Sequence, residues 1–424
     1  MAAARPARYT AALAVALLAA YVVVWAHVGA TDIGRSDFTS TYVGGTLLRE
    51  GHRGDLYSDA LQAAVHSRLV APDRIGNLPF VNAPMAALLA APVTLLGLDV
   101  AYRLWGLLQL MLLVVAVLVA MRSAPWPRDA RPAWRVAAAC TALAGAGTFA
   151  LLMQAQWSAV SALGLALAYR EWRHDRMARG GALLVASAAI AKPHLALALL
   201  AFMLGWRARG LVKGVVIGGL AAASASVVLV GPAGIAGFFQ MLTSSATRWD
   251  LDTFVSFIGL PGAILGNTAA AQAAGIAGSV LACTLAFWLG ALVRRDTTRL
   301  EPALAGASVL TLLASPHALL HDLVLLAPVA VWSLAYAIRH AQTARPMTEA
   351  AVALGSWALV SVAGLASLAG GALALAHGGA LPPGVVVTPA LIACAVVAAL
   401  ATRKRDRSLV AHRALADARL AKVS

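Results

Sequence analysis

The stretch Phe80-Val81-Asn82-Ala83-Pro84-Met85-Ala86-Ala87-Leu88-Leu89-Ala90-Ala91-Pro92-Val93-Thr94-Leu95-Leu96-Gly97-Leu98 decides how the rest of the chain is read. It is apolar enough to count as a membrane crossing, and counting it reverses the sidedness of every loop that follows. Positive charge decides against it. If the stretch only dips into the membrane or lies along it, the cytoplasmic segments hold Arg122/Arg128/Arg131/Arg135, Arg170/Arg173/Arg176/Arg179, Arg207/Arg209/Lys213, Arg294/Arg295/Arg299, Arg339/Arg345 and the tail from Arg403, together with Arg5 and Arg8. Of the 33 Lys and Arg, only Arg35, Arg49, Arg53, Arg68, Arg74, Arg103, Lys192 and Arg248 then fall outside. That bias is the positive-inside pattern of a membrane protein.

Composition leads to the same class. The chain has 424 residues, 61% of them hydrophobic and 12% charged, against roughly 45–50% and 25% in soluble globular proteins. A net charge of +15 would suit a nucleic-acid partner, but the arginines sit in short clusters between apolar runs and build no basic-aromatic face. They read as topology signals, and no nucleic acid is expected. Cys140, Cys283 and Cys394 lie far apart inside apolar runs, where a thiol behaves as a small hydrophobe, so neither a disulfide framework nor a metal knuckle follows. The run after Arg5 and Arg8 is long for a cleaved secretory signal and reads as a retained signal-anchor.

Apolar runs at about 10–29, 101–121, 136–151, 157–170, 181–191, 195–206, 211–230, 266–293, 302–314, 319–338, 349–369 and 385–402 predict about twelve transmembrane helices. Several are shorter than the roughly 20 residues of a straight crossing, so some must be broken or extended by buried flanks. The expectation is an all-α polytopic membrane protein: a single transmembrane unit over 1–402, with a long first extracytoplasmic loop at 30–80, and a basic cytoplasmic tail at 403–424.

Under this topology the chemically capable residues converge on the outer face. Asp37, in Gly34-Arg35-Ser36-Asp37-Phe38, is a lone carboxylate beside the first span. Two readings stand for it: a base that takes a proton from a hydroxyl, or a helix N-cap. Lys192-Pro193-His194 interrupts an apolar run, and a lysine there either holds a phosphate or snorkels to the headgroups. Ser315-Pro316-His317, followed by His321-Asp322, offers imidazoles that can donate hydrogen bonds to a departing phosphate. His317 and His321 are four apart, but without a zincin glutamate they make a poor metal signal, and no metal is expected. Asp250-Leu251-Asp252 spells the D-x-D of nucleotide-sugar transferases, yet its outer position separates it from cytoplasmic nucleotide sugars and favours a loop or cap role. Gln154 and Gln156 serve sugar hydroxyls or local backbone, and the sequence does not choose.

Taken in order, Asp37-Phe38 with Tyr42, the Gly51 to Tyr57 turn, Phe80-Val81-Asn82-Ala83-Pro84, Gln156 opening a span, Ala191-Lys192-Pro193, the segment Thr253 to Gly259, and Ser315-Pro316 with His321-Asp322 resemble glycosyltransferase family 87 (domain of unknown function 2029). That family includes polyprenol-phosphate-mannose-dependent mannosyltransferases. The resemblance implies a GT-C type membrane fold, an inverting transfer and a polyprenyl-phosphate sugar donor, with the family's essential first-loop aspartate falling on Asp37. Two departures are visible: the family's usual Tyr-Pro-Pro is Asn82-Ala83-Pro84, and the glycine that often precedes the span-opening glutamine is Ala155.

The reading that follows is a hexosyltransferase of the cell envelope that moves a sugar, mannose by the resemblance, to a glycolipid or glycan acceptor. Asp37 acts as base. Lys192 and His321, with His317 or Arg248, meet the leaving phosphate, and Tyr42, Tyr57, Asn82, Gln156, His194 and Asp322 face substrate. No nucleotide or redox cofactor is needed, since the driving force lies in the donor's phosphoester. The rival classes are a secondary transporter or lipid flippase using Lys192 and His194 in a broken helix, and a silent envelope scaffold. Transporters usually pair two broken spans in related halves, and this chain has one clear break without a counterpart.

Overall fold

The computed structural model describes residues 5–70, 78–245, 248–341, 346–377 and 381–420. Arg345 and the side chains of the basic segment 403–424 lie outside the described residues. Among those described, all regular structure is helical. In chain order the helices are α1 (Arg5–Ala26), α2 (Ala30–Arg35), α3 (Asp37–Arg49), α4 (Asp59–Val70), α5 (Pro84–Ala90), α6 (Leu98–Ser123), α7 (Pro132–Leu143), α8 (Ala146–Gln154) and α9 (Ser158–Arg173). They continue with α10 (Met177–Ile190), α11 (Leu197–Trp206), α12 (Arg209–Ser245), α13 (Gly259–Leu265), α14 (Ala269–Arg295), α15 (Leu300–Ala314), α16 (Leu326–Ala341), α17 (Pro346–His377) and α18 (Pro383–Leu420).

Among the described residues, seven helices are long and apolar enough to cross a bilayer, and the bent pair α7 and α8, at 47°, makes an eighth if it counts as one span. Large side chains such as Leu13, Val228, Ile276 and Val280 are exposed on them, as expected of surfaces that face lipid rather than water. The four shorter apolar runs expected to cross lie in α9, α10, α11 and α15, of 16, 14, 10 and 15 residues, below the length of a straight span. Every residue of α15 is buried, so this helix is shielded by its neighbours and not by lipid.

The stretch 80–98 does not form a span. From Pro84 it makes the seven-residue α5, tightens into a 3₁₀ segment at Ala91–Leu95, and breaks at Leu96, which is extended. Leu88, Leu89 and Leu95 are exposed while Ala86, Ala87 and Ala90 are buried. A short helix apolar on its outer side and packed through alanines on the inner suits a segment lying along the protein at the membrane boundary.

Among the described residues there are three apolar clusters, a small one around Leu251, Phe254 and Ala271 and two large ones. The larger joins α6, α9, α11, α14, α15, α16 and α18. The other gathers Tyr21, Trp25, Phe38, Tyr42, Phe80, Tyr102, Trp105 and Trp157 around the first loop. The second is what holds the first loop over residues 30–70 in place: Phe38 is fully buried against Tyr42, Tyr102 and Trp105. Aromatic packing of this kind is worth about 0.5–1.5 kcal/mol per pair beyond the area buried.

Helix direction follows from close contacts. Gly210 lies against Met177 and Gly214 against Ala178, so the start of α12 stands beside the start of α10. The intervening α11 therefore runs back, and Lys192 sits at the turn between α10 and α11. The opposite end of this group carries Arg173, paired with Glu301 at 3.3 Å, and Arg176, paired with Glu171 at 3.3 Å.

Candidate active site

Three helix interruptions build one polar cluster. Ser36, with φ −74° and ψ 155°, breaks α2 from α3 and leaves Asp37 as the first residue of α3. Asp37 is therefore one position past the cap, and the helix-cap alternative is not what its side chain does. A carboxylate in the first turn is favoured by the helix dipole. The second interruption is Ala155, left-handed at φ 44° and ψ 50°, which ends α8. It swings Gln154 and Gln156 to the cluster: Gln154 Oε1 accepts the Asp37 N–H at 2.9 Å, and Gln156 hydrogen-bonds the Asp37 carboxyl.

The third is Lys192. Pro193 disfavours helical backbone in the residue before it, and Lys192 is extended at φ −145° and ψ 85°. Its ammonium points into the protein, donating to Asp322 Oδ1 at 2.8 Å and to His321 Nε2 at 2.6 Å. Since Nε2 accepts that bond, the ring proton sits on Nδ1, which lies 3.9 Å from Asp37 Oδ2. That distance is too long for a hydrogen bond, so Oδ2 is not committed to the imidazole. Asp37, His321, Lys192 and Asp322 thus form a continuous row, brought together from separate parts of the chain.

Asp322 anchors the row. It is wholly buried, and both carboxylate oxygens are engaged: Oδ1 accepts from Lys192 and from Ser158 Oγ at 2.5 Å, and Oδ2 from the Leu319 N–H at 2.9 Å. A buried lysine without such a partner would be costly by several kcal/mol. Expected against substrate, Asp322 is placed behind the cluster, holding Lys192. Ser158, the first residue of α9, does not stand out in the sequence; a serine opening an apolar run two residues after Gln156 is the signal that points to it.

Electrostatics follow from this arrangement. Burial pushes the Asp37 carboxyl above its ordinary value; Lys192 and the Gln156 hydrogen bond pull it back, and Asp322 adds to the rise. One ammonium faces two carboxylates, so with Asp37 ionised the row carries a net negative charge. An anion arriving here would be held by directed hydrogen bonds from Lys192 and neighbouring imidazoles and not by an excess of positive charge.

The remaining candidates are distributed unevenly. His317 is packed between Trp249 and Phe254, with ring centroids 5.4 and 4.7 Å away, and His194 lies 6.3 Å from it. Burial lowers the His317 pKa to about 4, making it a neutral donor near pH 7. Among the described residues the buried Nε2 of His194 and the indole N–H of Trp249 have no hydrogen-bond partner, and nothing in the sequence marks Trp249 for such a place. Arg248 instead pairs with Asp59 of α4 at 2.7 Å. Tyr42 spends its hydroxyl on the carbonyls of Thr94 and Leu96, at 3.2 and 2.7 Å, and Tyr57 on the carbonyl of Asn82 at 2.7 Å. Both tyrosines tie the first loop to 80–98. Asp250 of the D-x-D accepts from Asn267 Nδ2 at 2.8 Å, tying the segment before Leu251 to the turn that precedes α14.

No curated protein and no solved structure matches the chain. A family model does, over residues 80–316, a stretch that contains Gln156, Ser158 and Lys192 and ends just before His317, with Asp37 preceding it and His321 following. With more than half of the sequence matched and an apolar, many-helixed architecture around a buried polar row, the chain belongs to glycosyltransferase family 87, a family of membrane glycosyltransferases.

Proposed function

We propose that the protein is a GT-C type enzyme that moves a sugar, mannose by family resemblance, from a polyprenyl-phosphate donor to an envelope glycolipid or glycan, on the extracytoplasmic face of the cell membrane. The observation that carries this reading is the row Asp37, His321, Lys192, with separations of 3.9 and 2.6 Å. It sets the Asp37 carboxylate, whose Oδ2 is not bonded to the imidazole, beside a lysine and an imidazole of the kind that suits a leaving phosphate, and a single displacement needs both.

In that reaction Asp37 Oδ2 takes the proton of the acceptor hydroxyl as its oxygen attacks the anomeric carbon. The bond from that carbon to the phosphate oxygen breaks with inversion, and polyprenyl phosphate leaves. Positioned donors in a water-poor pocket stabilise the growing charge on the phosphate better than water does. Lys192 Nζ has a third N–H beyond those given to Asp322 and His321, and His194 supplies an unpartnered ring nitrogen. The excess of carboxylate over cation in the row then helps the phosphate product to depart.

The test is transfer from radiolabelled polyprenyl-phosphate mannose in membranes, wild type against Asp37→Asn. The backbone bond from Asp37 to Gln154 survives this substitution, so the fold is kept while the base is lost. Turnover is expected to fall by about 10²–10⁴-fold, the usual contribution of a general base. Unchanged turnover would remove Asp37 from this role.

A further inference from the structure

Trp157 lies between two residues of the candidate site and reaches a third element. Its neighbour Gln156 hydrogen-bonds the Asp37 carboxyl, and its other neighbour, Ser158, donates to Asp322 Oδ1 at 2.5 Å. The indole has a different partner: Nε1 donates to Thr41 Oγ1 at 3.1 Å. Thr41 stands four residues after Asp37 in α3, and so one turn along the same face. Trp157 and Thr41 are both buried, each 1% exposed.

The surroundings of the indole hold it in this orientation. Trp105 of α6 meets it edge-on, with ring centroids 4.7 Å apart and planes at 70°, and also packs on Phe38, the residue after Asp37, at 6.3 Å. From the same helix Tyr102 donates to the carbonyls of Leu152 and Met153 at 3.1 and 2.9 Å, fixing the end of α8. The turn 154–158 therefore has a firm backing and grips α3 at two levels. Gln154 Oε1 accepts the Asp37 N–H at 2.9 Å, and Trp157 holds Thr41, about 6 Å further along the helix axis. One attachment would let α3 pivot about it; two set its direction. On its other side the same turn holds Asp322 through Ser158, and Asp322 accepts from Lys192 Nζ at 2.8 Å. Both the Asp37 end and the Lys192 end of the row are thus referred to the same five residues.

Packing alone does not call for a hydrogen bond here. Phenylalanine and valine would fill much the same space, and replacing both partners of a buried bond by apolar groups of similar shape can be nearly neutral for stability. What the bond adds is direction, because an N–H donor prefers its acceptor close to the line of the N–H bond. We propose that Trp157 and Thr41 are positioning residues, which together set Asp37 at its working distance from His321 and Lys192. The assignment rests on Asp37 serving as the base of the transfer described above.

The experiment compares Trp157→Phe, Thr41→Val, the double variant and the conservative Thr41→Ser, each as the full chain in nanodiscs. Transfer from radiolabelled polyprenyl-phosphate mannose is measured together with melting temperature and backbone hydrogen exchange. Displacing a reacting group by 1 Å costs on the order of 10²-fold, so each single removal should lower kcat by about tenfold or more. The KM for the donor should not change, the pattern of an interaction that acts after binding. Thr41→Ser keeps the hydroxyl and should retain kcat. The double variant should melt as wild type does and be no slower than the slower single variant, because the two side chains act as one unit. In an Asp37→Asn background Thr41→Val should cost nothing further. Full kcat in both single variants, a change confined to KM, additive losses in the double variant, or a further loss on top of Asp37→Asn would overturn the proposal. If Asp37→Asn slows transfer while Trp157→Phe and Thr41→Val do not, the positioning role fails and the base stands. If Asp37→Asn changes nothing, or no polyprenyl donor supports turnover, the reading of the reaction fails and hydrogen exchange decides the tether. Amides in the first two turns of α3 should then exchange at least about tenfold faster in the double variant than in wild type, with those of α4 unchanged. Equal exchange in α3 would overturn the tether as well.

Discussion

Asp37 is subject to opposed influences whose balance is measurable. Burial and Asp322 raise its pKa, while Lys192 and the Gln156 hydrogen bond lower it. A base works only when deprotonated, so kcat/KM should rise with pH through the Asp37 pKa, with its acid limb above the ordinary carboxylate range. Gln156→Leu removes a bond that favours the charged form and should move that limb to higher pH; a limb that stays in place in this variant would belong to another group. His317, with a pKa near 4, contributes no charge change near neutrality. Asp37, Lys192 and His321 are legible in the sequence because each interrupts or borders an apolar run, where an ionisable side chain needs a reason to be present. Ser158 is not, since serine is common in membrane helices and its role depends on Asp322, 164 residues away. The place of Asp322 is hidden for the same reason: whether a carboxylate faces substrate or anchors a lysine is decided by which oxygens are already engaged, and that is a property of packing.

Elements break where the site is built. Pro193 announces its break in the sequence, through the missing N–H and the restriction on Lys192. Gly231, at φ 68° and ψ 178°, kinks α12 where the sequence places the end of an apolar run, and such backbone is close to glycine-only. Ala155 is the instructive case. The family resemblance favours glycine there, and the left-handed conformation of Ala155 supplies the reason. An L-residue in that region costs about 1–2 kcal/mol, against roughly 0.5–1 kcal/mol of extra chain entropy lost by glycine. Ala155→Gly should therefore leave thermal stability in detergent unchanged or raise it by up to about 1 kcal/mol, with activity kept. Ala155→Val, with a branched side chain at a fully buried left-handed position, should lower both by displacing Gln154 and Gln156. A lower melting temperature for the glycine variant than for the valine variant would refute this account of the turn. Periodicity and apolar runs locate the helices well, but they do not say which of them face lipid. Runs such as 302–314 are apolar because α15 is wrapped by protein, so its hydropathy resembles that of a crossing while its length does not meet one.

At the scale of the whole molecule, charge and chemistry occupy opposite ends of the helices. The paired arginines around Glu171 and Glu301 stand at the end where α9 finishes and α10 begins, while the polar row stands where α9 starts and α10 finishes. This separation is visible in the sequence from the positive-inside rule alone, because the rule acts on loops, whose charges can be counted without any knowledge of packing. The same rule fixes which end should face outward. If arginine-rich ends are cytoplasmic, the loop carrying Asp55 is outside and the α11 to α12 turn carrying Arg209 is inside; both residues are exposed. In a background with Cys140, Cys283 and Cys394 replaced by alanine, Asp55→Cys should react with a membrane-impermeant maleimide on intact cells. Arg209→Cys should react only after permeabilisation. The reverse pattern would put the polar row on the cytoplasmic face, within reach of nucleotide sugars. The need for a lipid-carried donor would then disappear, because such a donor matters only where activated sugars cannot be supplied by diffusion.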